Sequence, residues 1–140
     1  MSASDSLGAM GDLTTISSHF GPKETVNRLE TEIQAKGMKV FARIDHAAGA
    51  AEVGLTLRPT ELIIFGNARG GTPLMQSAQT VGIDLPLKAL VWQDAAGKTW
   101  ISYNEPRWIV QRHNVANAES IVNKMADLLR AISTKAATLQ

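Results

Sequence analysis

The sequence predicts one α+β domain in which a mostly antiparallel sheet is covered on one side by helices. Three observations support this fold class. Residues 38–45 alternate apolar and polar side chains, as a half-buried strand does. Leu87–Gln93 and Thr99–Asn104 flank a tight turn containing Gly97, which is typical of a β-hairpin. Apolar residues recur at helical spacing over residues 117–135, so a long amphipathic helix should lie across the sheet.

The first elements follow from local signals. Residues 13–20 are rich in Thr, Ser and apolar side chains and stop at Gly21 and Pro22, which suits a strand followed by a helix with Pro at its first position. Three apolar residues at helical spacing mark residues 22–36 as an amphipathic helix. Gly37 should end that helix as a left-handed cap.

Shorter elements fill the rest of the chain. The Ala-rich residues 46–54 favour a short helical turn, and residues 61–65 should form an apolar strand. Residues 106–113 are predicted to be irregular or a single helical turn. Because residues 1–11 show no periodicity, they are interpreted as a flexible lead, and the domain should occupy residues 12–140.

Composition and charge argue against several classes of function. Fourteen Lys and Arg against 13 Asp and Glu leave a net charge of +1, far below the basic excess that nucleic-acid binding requires. No run of about 18 apolar residues occurs, and the N-terminus lacks a signal-peptide pattern, so no membrane partner is expected. A cytoplasmic location is favoured, and a periplasmic one stays open. The absence of Cys excludes disulfides, thiolate catalysis and Cys-based metal sites.

The sheet face opposite the helices must meet water, a ligand or a second subunit. Phe41, Trp92 and Ile101 are candidates for this far face, which favours a homodimer. Trp92 and Trp100 should form a cross-strand pair in the hairpin. Packing is the default interpretation of this pair, and a stacking platform for a planar ligand is the alternative.

The Gly-rich residues 66–71 are the first candidate site. They are predicted to form a loop before a helix over residues 72–81, with Thr72 as N-cap and Pro73 as first helical residue. Free backbone N–H groups at a helix N-terminus favour a small phosphate or carboxylate. The residues that would contact such a ligand are Asn67, Arg69, Gly71 and Thr72. Since the spacing matches neither common Gly-rich phosphate motif, backbone geometry is the alternative explanation of these glycines.

His46 is the second candidate. It follows Asp45 at a predicted strand end, where an imidazole could act as general base or metal ligand. Adjacent strand residues point to opposite faces, so Asp45 is poorly placed to orient this ring. With His19 and His113, His46 could bind zinc or haem iron, although the three separations match no short ligand motif.

Three further polar residues stand at predicted element ends, where sites are often assembled. Asp84 precedes a Leu-Pro pair and should close a turn through its side chain. Arg58 precedes a strand, and Tyr103 lies near the end of the hairpin. No Ser-nucleophile motif is present. An enzyme built from this chain would use His46 as general acid or base, with Asp84 or Tyr103 assisting.

Several motifs, in the right order, resemble the domain-of-unknown-function family 302 (DUF302). They are VGLTLRPTELIIFGN at 53–67, GTPLM at 71–75 and DLPLKALVW at 84–92, with IDH at 44–46 and WISYN at 100–104. One departure is Ala68, where related sequences commonly carry Pro. The resemblance implies a β-α-β(4)-α fold similar to TATA-binding-protein-like domains and a homodimer. It implies no established activity.

The sequence therefore favours a non-enzymatic binding or accessory domain. We expect a homodimer that holds a small anionic or planar ligand near residues 66–72 and His46. An enzyme using His46 as general acid or base is one alternative, and an interaction domain acting through a homodimer surface is the other. The residues indicate no particular cofactor.

Overall fold

A computed structural model describes residues 13–139, which contain a five-stranded sheet and five α-helices. The strands are β1 (Leu13–Ser18), β2 (Lys39–Asp45), β3 (Thr60–Gly66), β4 (Leu87–Gln93) and β5 (Thr99–Asn104). The helices are α1 (Pro22–Ala35), α2 (His46–Glu52), α3 (Ala68–Ser77), α4 (Pro106–Arg112) and α5 (Glu119–Ala137), with a 3₁₀ helix at Gln79–Ile83. The predicted flexible lead, residues 1–11, lies outside the described residues.

The sheet has the order β1-β5-β4-β3-β2, and all four pairings are antiparallel. The structure therefore confirms the predicted α+β class, the hairpin of β4 and β5, and helices packed on one face. Both α1 and α5 pack against the sheet and against each other. Between them and the sheet lies the main core, whose largest members include Leu29, Ile63, Phe65 and Leu129.

A second, smaller core lies beyond the sheet, where α3, the 3₁₀ helix, α4 and α5 meet. Its centre consists of Leu74, Val81, Ile109 and Val122. Residues 106–112 thus form a two-turn helix, which is longer than the predicted irregular segment or single turn. Burial of Ile109 and Val110 stabilises a helix too short to be stable by propensity alone.

A β-bulge in β2 breaks the alternation predicted for residues 38–45. Val40 pairs with Phe65, and the next pair is Ala42 with Ile64, so Phe41 is the extra residue. One inserted residue reverses the side-chain phase. Val40 therefore packs on the main core, whereas Ala42 lies on the far face with its partner Ile64.

Helix α3 begins earlier than the sequence predicted. Asn67 is its N-cap, since the side-chain Oδ1 accepts the N–H of Gly70 at 2.8 Å. Thr72 and Pro73 consequently lie inside the helix, and the predicted loop over residues 66–71 forms its first turn. The N-cap assignment of Thr72 is wrong.

Tertiary packing explains why a Gly-rich segment is helical here. Each Gly in a helix interior costs about 1 kcal/mol relative to Ala. A Cβ placed on Gly71 would lie 3.3 Å from Leu85 Cδ1, and one on Gly70 would lie 3.8 Å from Met125 Cε. The helix therefore approaches Leu85 closely at Gly71, whereas the distance at Gly70 is that of an ordinary contact.

The far face of the sheet differs in part from its prediction. Trp92 and Trp100 are directly paired and stacked there, with ring centroids 6.1 Å apart, as expected. Ile101 is instead fully buried in the main core and faces the helices. Phe41 lies at the bulge, where it borders the cavity described below.

Candidate functional site

The residues that the sequence singled out lie at two opposite ends of the sheet. Asp45, just before His46, pairs with Glu61 at the start of β3, whereas Asn67 follows the end of β3. Seven strand residues span roughly 20 Å. His46 and the 66–72 segment therefore do not form one site, although the sequence grouped them.

The end of the sheet with His46 carries local structural contacts. His46 is the exposed first residue of α2, and within residues 13–139 its side chain makes no hydrogen bond or ion pair. Asp45 caps α2, since its Oδ1 accepts the N–H of Ala48 at 2.9 Å. Arg58 donates from Nε to the carbonyl oxygen of Gln93 at 3.1 Å. His46 contacts neither Asp84 nor Tyr103.

Close to this end, Glu61 is held on the helix side of β3 by two cations. Lys23 Nζ and Arg43 Nε each lie 2.8 Å from one of its carboxylate oxygens. Arg43 also pairs with Glu30 at 2.9 Å, which ties α1 to β2 and β3. Burial alone would raise the pKa of Glu61, but hydrogen bonds from Arg43 and Lys23 outweigh burial and lower it. The hydrogen bond to Glu61 in turn raises the pKa of Arg43.

Sequence reasoning missed this charge cluster. The available signal was a Glu inside the apolar run of residues 60–66, since a carboxylate is seldom buried without partners. Its cations come from α1 and β2, which only the fold brings together.

An apolar cavity of about 250 Å³ lies at the opposite end of the sheet. It is bounded by α3, α5 and the ends of β2, β3 and β4. Its walls are formed by Met38, Phe41, Gly66, Asn67, Ala68, Gly70, Gly71, Thr72, Met75, Leu85, Pro86, Leu87, Met125 and Leu128. Three of the predicted contact residues, Asn67, Gly71 and Thr72, are among them. Arg69 is exposed on α3 and does not line the cavity.

The chemistry of this cavity favours binding over catalysis. Asn67, its main polar side chain, already uses Oδ1 to cap α3. Met38, Met75 and Met125 contribute thioethers, which adapt to the shape of flat apolar groups. Phe41 borders the cavity with half its surface exposed, and Lys39 Nζ lies 5.4 Å from its ring centroid.

Asp84 takes part in a side-chain cluster that the sequence did not predict. His113 Nε2 lies 2.5 Å from Asp84 Oδ2, and Arg112 Nη1 lies 2.9 and 3.1 Å from the two carboxylate oxygens. On its other side, His113 Nδ1 is 2.8 Å from the hydroxyl oxygen of Thr80. Asp84 was expected to close a turn through its side chain, and it instead joins the 3₁₀ helix to α4.

Tyr103 belongs to the main core. It is 6% exposed, lies outside the apolar cavity and pairs with Thr14 across β1 and β5. Burial, reinforced by the negative charge of Glu105, raises the pKa of Tyr103 to about 12. The phenol therefore stays neutral over the ordinary pH range.

Residues 13–139 contain neither a cluster of metal ligands nor a membrane-spanning helix. Within that range, no three His, Cys, Asp or Glu side chains are grouped so that they could hold a metal ion. His19, His46 and His113 do not converge on one point, since His113 is bound to Asp84 and Thr80 while His46 stands apart. Nor does that part of the chain contain a helix long and apolar enough to cross a membrane.

Fold and cavity together define a small α+β domain with one antiparallel sheet, helices on one face and an apolar cavity at one sheet end. The chain belongs to the family described as "Domain of unknown function DUF302", whose model matches residues 13–132. This match confirms the resemblance drawn from the sequence motifs.

A solved structure shares the fold. The crystal structure of an uncharacterised conserved DUF302 protein from Bacillus stearothermophilus superposes with a TM-score of 0.82 at 25% sequence identity. The alignment covers 91% of this chain and 99% of that one.

Curated relatives carry the name of a channel. "Fluoride-specific ion channel FluC 1" of Brucella suis biovar 1 is 47% identical over 112 residues, which are 80% of this chain and 44% of that protein. The protein of that name from Brucella abortus biovar 1 is 47% identical as well, with 42% of its length covered. The chain thus spans less than half the length of these relatives.

Proposed function

We propose that this domain is a binding or accessory protein, and that its ligand is a small flat apolar group bearing one acidic substituent. The observation that carries the proposal is the apolar cavity of about 250 Å³ between α3, α5 and the sheet end. Ligand sites are typically concave, mostly apolar and supplied with few polar groups. This cavity has that character.

Size and shape limit the ligand class. An engineered cavity of about 150 Å³ lined by aliphatic and aromatic side chains accepts benzene. A cavity of about 250 Å³ therefore has room for a bicyclic aromatic group. Gly70 and Gly71 form part of one wall and add no side chains that would narrow the cavity.

The acidic substituent is supported by charge beside the cavity. Arg69 is exposed on the first turn of α3, and Lys39 is exposed beside Phe41. The α3 dipole also favours a negative charge at this helix end. The N–H of Gly70 is already bonded to Asn67 and is not free to bind an anion. We therefore propose that apolar contacts contribute most of the binding free energy and the acidic substituent a smaller part.

An anilinonaphthalene sulfonate probe has this chemistry and tests the proposal. We expect saturable binding with a fluorescence increase, and loss of at least about tenfold in affinity in Ala68→Trp, which places an indole at the cavity wall. Arg69→Ala should weaken binding by about threefold, because an exposed ion pair contributes at most about 1 kcal/mol.

Ala95→Trp is the matched control, because it adds the same indole at the exposed hairpin tip far from the cavity. Its affinity should equal that of the wild type. The unfolding temperature of each variant is measured as well. An unchanged unfolding temperature shows that the dye does not bind to a partly unfolded core. Equal affinity in the wild type and Ala68→Trp, with both folded, would exclude the cavity as the binding site.

The curated relatives favour a second candidate, an accessory role beside a fluoride channel. The supporting observation is the 47% identity to a segment of proteins named as fluoride-specific ion channels. We propose that this chain associates with such a channel. Co-purification with the Brucella suis protein lacking its matching 112 residues should give a joint elution peak. Separate elution at micromolar concentrations would contradict this role.

The far face of the sheet supports a third proposal, that the chain forms a homodimer. Leu62, Ile64, Leu90 and Trp92 lie side by side there and are only half-buried. Leu13 and Ile44, on the two edge strands of the sheet, are more exposed. A contiguous apolar surface of this kind is a candidate for burial against a second copy.

A further inference from the structure

A buried His between a carboxylate and an exposed hydroxyl lies at the corner formed by the 3₁₀ helix and α4. The His113 side chain is 8% exposed, and both of its ring nitrogens have partners. Asp84 lies at Nε2 and Thr80 at Nδ1. Thr80 itself is exposed, so its hydroxyl is accessible to a small molecule from solvent. The cavity proposed to bind ligand has no residue in this cluster.

We propose that Thr80, His113 and Asp84 form a nucleophile–base–acid relay, and that Thr80 accepts an acyl group from an activated ester or thioester. Such a relay requires a hydroxyl within hydrogen-bond reach of an imidazole that a third group orients. The three residues satisfy this geometry at 2.8 and 2.5 Å.

The protonation pattern follows from the partners. An ionised carboxylate only accepts hydrogen bonds, so Asp84 holds the imidazole proton on Nε2. Nδ1 then carries a lone pair, and the Thr80 hydroxyl donates to it. This is the tautomer that a general base needs. Asp84 also accepts from Arg112, which fixes the carboxylate against the ring.

The cations near the relay, Arg112 and Lys88, do not bond to the His113 imidazole. Arg112 contacts Asp84 through Nη1 and is half exposed. Lys88 donates from Nζ to the backbone carbonyl of Asp84 at 3.2 Å and approaches it from β4. Within residues 13–139, neither cation has a hydrogen bond to the His113 ring.

The step balances without any further reactant. The Thr80 Oγ1 attacks the acyl carbonyl carbon, and its proton moves to His113 Nδ1. The carbonyl–oxygen or carbonyl–sulfur bond then breaks, and the leaving alcohol or thiol takes that proton. In the second half, water attacks the acyl-Thr80 ester with His113 as base, which releases a carboxylic acid and restores the hydroxyl.

Reaction of the purified chain with p-nitrophenyl acetate tests the proposal. We expect p-nitrophenolate release together with one acetyl group that peptide mapping places on residue 80. Thr80→Val should abolish acetylation of residue 80, and His113→Gln should lower it by about 100-fold or more. Thr80→Ser should retain it.

Two control variants distinguish acetylation by the relay from acetylation at other exposed residues. Thr56→Val and His19→Gln alter exposed residues whose side chains have no hydrogen bond within residues 13–139, and both should react as the wild type does. Thr80 is exposed, so Thr80→Val and Thr80→Ser should fold even if His113→Gln does not. Acetylation confined to amino groups, or an equal rate in Thr80→Val, would overturn the proposal and leave the cluster a structural link. The acetylation test does not bear on the proposed ligand site, because the cavity shares no residue with the relay and is tested by dye binding.

Discussion

Glu61 illustrates how a single charged residue shapes this protein. Among residues 13–139 it is the only charged residue that is buried, and Lys23 and Arg43 neutralise it from two different elements. A buried carboxylate without such partners would cost several kcal/mol. The residue could be recognised in the sequence as unusual, but its partners are 38 and 18 positions away.

Glu61→Gln should lower the free energy of unfolding by about 2 kcal/mol near neutral pH, since it removes two charge-assisted hydrogen bonds. The folded-state pKa of Glu61 is lowered below its ordinary 4.5. Its contribution is therefore present above pH 4.5 and is lost as pH falls through the folded pKa. Urea unfolding measures this free energy at neutral pH and near pH 3. The difference between Glu61→Gln and the wild type should be smaller near pH 3.

Glu52→Gln is the matched control, because Glu52 is exposed at the end of α2 without an ion pair within the described residues. It should change stability by less than about 0.5 kcal/mol. A Glu61→Gln effect of equal size at both pH values would refute the electrostatic explanation.

The histidines also show that a residue's partners can be distant in the chain. The sequence drew attention to His46, which stands beside a carboxylate in the chain, yet the structure leaves it exposed and without a side-chain partner within residues 13–139. His113 received little weight, although it contacts both Asp84 and Thr80. These partners are 29 and 33 positions away, a separation that no local motif reveals.

At the scale of elements, α3 and β2 show where local rules fail. Residues 68–77 contain two Gly and a Pro, which lower helix propensity, and the sequence predicted a helix only from residue 72. Asn67 instead caps the helix, and Gly71 packs closely against Leu85. In β2, the bulge at Phe41 reverses the pattern that alternation predicted.

Both departures border the same cavity. Because α3 starts at Ala68, its first turn reaches the end of β3 and forms one wall. Because the bulge displaces Phe41 from the regular pleat, its ring stands at the cavity edge. Two elements whose local patterns misled the prediction thus contribute walls to the candidate binding site.

At the scale of the whole molecule, the sheet has helices on one face only. An antiparallel sheet can expose one face to water, but that face normally carries polar residues. Here it carries Leu62, Leu90 and the stacked Trp92 and Trp100, with Ser102 as a hydrogen-bond partner of the Trp92 indole. The proposed homodimer would bury this surface.

Light scattering should give twice the chain mass of 15.0 kDa for the wild type at micromolar concentration. Leu90→Lys places a charge at the centre of the far face and should yield monomers of normal unfolding cooperativity. Ala95→Lys, at the exposed hairpin tip, should remain dimeric. A wild-type mass of 15.0 kDa would remove the homodimer from consideration.

The amino-acid sequence by itself determined the α+β class, the β4–β5 hairpin, the capped helix α1 and the long helix α5, because each depends on a pattern within about 20 residues. Motif order alone also indicated the family. Only the tertiary structure decided the start of α3, the bulge in β2, the partners of Glu61 and the link from Asp84 through His113 to Thr80. Each of these depends on side chains that are distant in the chain and meet only when the sheet and helices pack. The separation of His46 from the cavity has the same cause, since strand direction assigns them to opposite ends of the sheet.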